Sequence, residues 1–286
     1  MIGARWLLTN LPDREQRPDA RATVRFDPIM LDPHGVAPLR IAGAWRLTSD
    51  DSRLGGVSAL AIDRGEFIAL TDSGVVIRLP KPRPGVQLAH FRDLPTGPGS
   101  ARYKAGRDSE ALALDSGGRG WWVAFENRHA AYLFDREFIQ VERRIGLGEL
   151  GWRANKGAEG ALLGRHSLLL FPESGDEIVE VGKAGIKRIP LNNPFGRLAD
   201  VTELPDGRVV VLARSFGPRG FSSRLLLLGE ELEMKPFARL NLGRLDNPEA
   251  IAAESLPGGA VRLWVMTDND FRRRVPTLLL ALDWAG

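Results

Sequence analysis

Apolar residues in this 286-residue chain come in short runs bounded by turn formers, not at helical intervals. GEFIALTD, GWWVAFE, HSLLLFPE, GRVVVLAR and VRLWVMTD are rich in aliphatic and aromatic residues and close on a polar one, as buried strands do. Five longer segments share one plan: GVSALAIDRGEFIALTDS (56–73), DSEALALDSGGRGWWVAFEN (108–127), GAEGALLGRHSLLLFPES (157–174), LADVTELPDGRVVVLARS (198–215) and DNPEAIAAESLPGGAVRLWVMTDN (246–269). Each opens on a polar anchor, runs through a strand, turns at glycine, rises into a second strand and ends polar. The anchors Ser58, Glu110, Glu159, Asp200 and Glu249 lie 52, 49, 41 and 49 residues apart. A period near 50 with about four short strands per unit predicts an all-β fold, a β-propeller of four-stranded blades.

AAYLFD, EIVEVG, SRLLLLGE and TLLLALDW supply the outer strands of these blades. Asn247–Ala253 has the cap and proline of a helix start, but the repeat alignment makes it a strand. Only 37 residues follow Glu249, too few for a blade, while ATVRFDPIML (22–31) and LRIAGAWRLTS (39–49) precede the first repeat. An N-terminal strand is therefore expected to complete the last blade and close the ring, leaving no open sheet edge. Five repeats are countable, and the terminal residues leave room for six blades. Residues 1–21 are expected to be a tail ahead of a single domain over 22–286.

In an antiparallel hairpin the start of the first strand and the end of the second share an edge. With the first strand innermost, the anchors and the termini Asp72, Glu126, Glu173, Arg214 and Asp268 face one mouth of the central channel. Eight of these ten positions are carboxylates. Asp and Asn at strand ends are ordinary turn chemistry, whereas repeated Glu is not. The alternatives are a solvated rim and an acidic site that holds a cation. For the second, the expected ligands are Glu110, Glu159, Asp200, Glu249 and Asp268, and the expected cofactor is Ca2+, which takes six to eight oxygens. Arg214 stands where the other hairpins end in acid. It is either a lone guanidinium that clamps substrate or a bridge to Glu173 or Asp200.

Composition narrows the classes. Cysteine is absent, which excludes disulfides, thiolate metal sites and cysteine nucleophiles. The 39 basic and 36 acidic residues are spread along the chain, and the densest basic run is Arg272-Arg273-Arg274. No nucleic-acid partner is expected, because such surfaces gather basic charge on one face. With no apolar run of about 18 residues, no membrane insertion is expected either. The chain is expected to be a monomer. No phosphate-binding loop or nucleophile elbow is present, and the Gly-rich GLGELG (146–151) lacks the strand-to-helix context of a dinucleotide fingerprint and reads as a loop.

DSEALAL with the later FEN, GAEGAL with FPES, LADVTEL with LARSF, and DNPEAIA followed by MTDNDF and TLLLALD resemble the phytase-like domain family, "esterase-like activity of phytase". The resemblance runs from about Val24 to Asp283, with Ser58 in place of an acid in the first repeat. It implies a β-propeller with phosphodiesterase- or phosphatase-like activity carried by recurrent acids, which fall on Glu110, Glu126, Glu159, Glu173, Asp200, Glu249 and Asp268. It also implies a periplasmic or secreted location.

Two readings follow. In the first the protein is a calcium-assisted hydrolase of a small anionic ester, with Glu159, Glu173 and Arg214 catalytic. Substrate is then bound by Arg214, Asn127, Asn269, Asp72 and Glu126. In the second it is a non-catalytic propeller that binds a ligand or protein partner, with structural calcium.

Overall fold

The computed structural model describes residues 16–32, 36–217, 220–240, 242, 247–271 and 275–285. The Arg272–Arg274 run and His34 lie outside them. Two N-terminal strands, β1 (Ala20–Pro28) and β2 (Arg40–Ser49), precede the first repeat. The first blade is β3 (Val57–Asp63), β4 (Glu66–Thr71), β5 (Val75–Leu79) and β6 (Val86–Asp93), and the second β7 (Ser109–Leu114), β8 (Gly120–Phe125), β9 (Ala130–Asp135) and β10 (Val141–Gly146). The third comprises β11 (Ala158–Leu163), β12 (Leu168–Pro172), β13 (Glu177–Gly182) and β14 (Gly185–Pro190), and the fourth β15 (Arg197–Glu203), β16 (Val209–Gly217), β17 (Gly220–Leu228) and β18 (Met234–Leu240). Three strands of the fifth follow in sequence, β19 (Asn247–Ser255), β20 (Val261–Asp268) and β21 (Thr277–Trp284). Asn247–Ala253 is thus strand, as the repeat alignment requires.

The fifth blade is completed by β2, which pairs antiparallel with β21. The residues that left room for a sixth blade have another use. Strand β1 pairs with β2 on one side and with β6 on the other, so the first and fifth blades form one continuous sheet. Among the described residues the propeller has five blades with an extra strand at the seam. Val24 and Phe26 of β1 are buried against Phe67, Phe91 and Met266. Arg53, almost wholly buried, pairs with Asp51 and Asp93 beneath the same seam.

The five first strands line the axis, each packed against the next round the ring. Bulky side chains fill the spaces between blades, among them Phe67, Phe91, Trp121, Phe134 and Phe171, all at most 1% exposed. Burying such aromatics is worth roughly 25 cal/mol per Å2 of apolar surface.

One local feature positions the site. Every first strand carries a β-bulge near its start, where one residue has no partner on the second strand. The unpartnered residues are Ser58, Glu110, Glu159, Ala199 and Glu249. A bulge inserts an extra residue, bends the strand and re-aims the side chain there. In four of five blades the re-aimed residue is the polar anchor of the sequence repeat.

Candidate active site at the mouth of the channel

A cavity of about 830 Å3 opens at the mouth. Nine of the ten aligned hairpin ends line it: Ser58, Glu110, Glu159, Glu249, Asp72, Glu126, Glu173, Arg214 and Asp268. The exception is Asp200. In blade four the bulged residue is Ala199, so Asp200 falls one position further along and faces the other way. Its carboxylate, 2% exposed, accepts the backbone N–H of Ile251 at 2.8 Å and of Val201 at 2.7 Å. Asp200 therefore ties the fourth inner strand to the fifth. It does not belong with the other expected cation ligands.

The acids gather into two overlapping groups. Oxygens of Asp108, Glu110 and Glu126 lie within 4.8 Å of one another, and so do those of Glu126, Glu159 and Glu173. Glu126 belongs to both. Close approach of blades two and three makes this possible. Gly157, at the entry to β11, leaves its Cβ position 3.0 Å from Cα of Glu126, so a larger residue there would push Glu126 away. The backbone holds the hairpin ends in place, with Glu126 N–H on Asp108 O at 2.8 Å and Glu173 N–H on Gly157 O at 2.9 Å.

Electrostatics follow from this crowding. Burial, with the charges of Glu159 and Asp108 beside it, pushes Glu126 up to about 9. Burial raises Glu159 to about 8; Glu173 and Asp108 push the same way, and Arg214 and Lys156 offset only part of it. Glu110 is held well above the usual carboxylate range by burial and by Asp108 and Glu159. Next to this cluster, at the end of β4, burial brings Asp72 up to about 6 despite Lys104, and Asp268 is raised by burial and by Asp72. Like charges packed this closely require a proton or a cation.

Compensation is uneven. Lys104 Nζ sits 2.6 Å from Asp108 and 2.9 Å from Asp72. Burial works against its charge, but Asp72, Asp108 and Glu110 overcome that and hold its pKa up. Lys156 and Arg197 both bind Glu173, and Arg214 binds Glu249 while donating to Asn247 Oδ1 at 3.2 Å. Glu159 is different. It is 7% exposed, lines the cavity, and has no hydrogen-bond or ion-pair partner among the described residues.

The donor set fits calcium. It consists of carboxylate oxygens, and oxygens up to 4.8 Å apart can share one cation at bond lengths of about 2.4 Å. Asp108, Glu110 and Glu126, or Glu126, Glu159 and Glu173, would hold one, residues that overlap the expected set only at Glu110 and Glu159. Glu249 is engaged by Arg214, and Asp268 lies beside Asp72, outside both groups.

Sequence comparison agrees with this architecture. The family model for phytase-like domains, described as "Esterase-like activity of phytase", matches residues 52–271. The chain belongs to the phytase-like family. Among curated proteins none matches it. Of solved structures, Myxococcus xanthus glutaminyl cyclase is similar at 12% identity and TM-score 0.53, over 86% of this chain and 96% of that one. PQQ-bound aldose sugar dehydrogenase from Streptomyces coelicolor is similar at 13% identity and TM-score 0.48, over 84% and 97%. Kuenenia stuttgartiensis hydrazine synthase is similar at 12% identity and TM-score 0.42, over 78% of this chain but 59% of that one, so the chain spans under two thirds of its length. At such identities the first of these shows the fold alone.

Within this phytase-like propeller three expectations change. Arg214 is not a lone cation, because Lys104, Lys156 and Arg197 also reach the acids of the mouth. Its partner is Glu249, not Glu173 or Asp200. Asn127 and Asn269 do not line the main cavity. Asn127 donates to Asp108, and Asn269 accepts the backbone N–H groups of Gly56 and Phe271. The missed cations left faint signals. Lys156 immediately precedes the GAEGAL strand, Lys104 lies four residues before Asp108, and strand pairing sets Arg197 directly opposite Arg214.

Proposed function

We propose that this phytase-like propeller is a calcium-assisted hydrolase of a small anionic ester, with the acidic mouth as its active site. The observation that carries the reading is Glu159: buried, unpartnered, and aimed into a cavity beside two further clustered carboxylates. Keeping such a charge dry and unpaired costs several kcal/mol unless a cation or proton offsets it.

When bound, calcium supplies a Lewis acid for the ester oxygen and favours ionisation of a water. The remaining chemistry falls to side chains. Glu110, Glu126 and Glu159 would hold the cation, and Glu159 also accepts the proton of the attacking water as general base. Lys156, Arg197 and Arg214 beside them receive the negative charge of the ester group and of the transition state. The same acids repel a free anion, and the cation offsets that repulsion and strengthens substrate binding. Weak extracellular calcium sites work at about 0.1–1 mM, which suits the periplasmic or secreted location that the family resemblance implies.

The test uses chelator-treated protein with nitrophenyl phosphate, bis-nitrophenyl phosphate and nitrophenyl acetate, with and without calcium. Calcium-dependent turnover of one ester that disappears in Glu159→Gln is the expected result. Calcium that raises the melting temperature without turnover of any ester would instead identify a binding propeller with structural calcium.

A further inference from the structure

Glu173 is gripped by two cations at once, Arg197 Nη1 at 2.9 Å from Oε1 and Lys156 Nζ on Oε2. Its backbone cannot move, since its N–H is bound by Gly157 O and its carbonyl accepts Leu198 N–H at 3.0 Å. Its side chain has a second set of neighbours, because the same carboxylate lies within the oxygen cluster of Glu126 and Glu159. The acid is buried, whereas the Lys156 and Arg197 side chains are 39% and 61% exposed on the cavity wall. Two cations spread over two oxygens of one carboxylate is the arrangement that two oxygens of a phosphoryl group also take.

We propose that Lys156 and Arg197 form the seat for the substrate's phosphoryl group, and that Glu173 occupies this seat in the free protein as a built-in competitor. An entering dianion takes the two cations and displaces the Glu173 carboxylate, which remains beside Glu126 and Glu159 and could serve there as a further ligand when a cation is bound. This rests on the hydrolase reading above and deepens it. A single negative charge would only replace Glu173 like for like. A doubly charged oxyanion neutralises both cations, so the seat selects phosphate monoesters over diesters and carboxylates.

The probe is phenylphosphonate, a non-hydrolysable dianion, titrated by calorimetry into chelator-treated protein. Removing the competitor in Glu173→Gln is expected to tighten binding about tenfold, the scale of one charge-assisted hydrogen bond. Asp72→Asn removes a charge from the same cavity without touching Lys156 or Arg197, and it is expected to gain much less. Equal gains in the two variants, or no gain in Glu173→Gln, overturn the proposal. Should Glu173→Gln not fold, Lys156→Met and Arg197→Met in the native background serve instead. Each is expected to weaken phenylphosphonate about tenfold, and unchanged affinity in both overturns the seat. The monoanionic methyl ester of the probe is expected to bind far more weakly than the dianion, and equal binding removes the selectivity. Calcium uptake is measured separately without phosphonate. If it is absent while phosphonate binds as described, the calcium reading fails and the seat stands.

Discussion

Replacing Glu159 by Gln should make the calcium-free protein more stable at neutral pH. Gln reproduces the size and polarity of the protonated acid but has no charge to bury. The pKa of Glu159 is raised from 4.5 to about 8 in the folded protein, by burial first and then by Glu173 and Asp108. A carboxyl with a raised folded value contributes its full stability below its unfolded value and loses it as pH climbs to the folded one. Each pH unit in that window costs about 1.4 kcal/mol, so from 4.5 to neutral pH the native chain forfeits about 3 kcal/mol that Glu159→Gln keeps. For a chain of this size that is roughly 6 °C in melting temperature. Thermal unfolding in chelator, followed by circular dichroism from acid to mildly alkaline pH, reads it directly. The two proteins should coincide at acid pH and separate steadily above it. Added calcium should reverse the order, because the native chain gains a bound ion and the variant has lost a ligand. A variant that melts at or below the native temperature at neutral pH in chelator would refute the argument, since it would mean that the carboxylate is already compensated.

Other consequences follow from the same geometry. Saturating calcium at about a hundredfold over its dissociation constant should stabilise the native chain by about 2.7 kcal/mol, and chelator should return it to the starting melting curve. Arg214→Ala frees Glu249 and Asn247, so it should lower the melting temperature as well as weaken binding of an anionic ligand, by about 1.5–3 kcal/mol; Arg214→Lys should recover only part of either loss, and a wild-type melting curve for Arg214→Ala would show that the Glu249 pair contributes nothing. Asp200→Ala leaves two backbone N–H groups of the inner strands buried without acceptors, at about 1–3 kcal/mol each, so denaturant unfolding should show a clear loss of stability. If calcium affinity also drops while the variant remains folded, the placement of Asp200 away from the cluster is wrong.

The blades were legible because their period and strand composition are local properties of the chain. Segments such as GWWVAFE and GRVVVLAR read as strands without knowledge of their neighbours. The closing strand was legible from arithmetic, since the 37 residues after Glu249 cannot build four strands. The extra seam strand was not, because nothing local says that β1 will pair with β6 as well as β2. Asp200 failed for a subtler reason. Side chains alternate faces along a strand, so an alignment error of one residue moves a side chain to the opposite face. Counting from Asp200 to Arg214 gives the same spacing as from Glu159 to Glu173, yet the bulge in blade four falls at Ala199.

The bulges also explain why glutamate, and not the shorter aspartate common at strand ends, recurs in this ring. A bulged residue has left the ladder, so its side chain starts outside the regular inner surface and must reach across the mouth to meet its counterparts. Glu110, Glu159 and Glu249 stand at such positions on three different blades, and the first two join Glu126 and Glu173 from neighbouring hairpin ends. Where a carboxylate is asked to bond the adjoining backbone, as at Asp200, the shorter side chain is used. At the starts of the inner strands side-chain length thus separates two jobs: aspartate at position 200 fastens inner strands together, and glutamate at the bulges lines the mouth. The cost of that second choice is the repulsion seen in the raised values of Glu126 and Glu159, and a fold that only needed stability could have replaced either with an apolar residue of similar size.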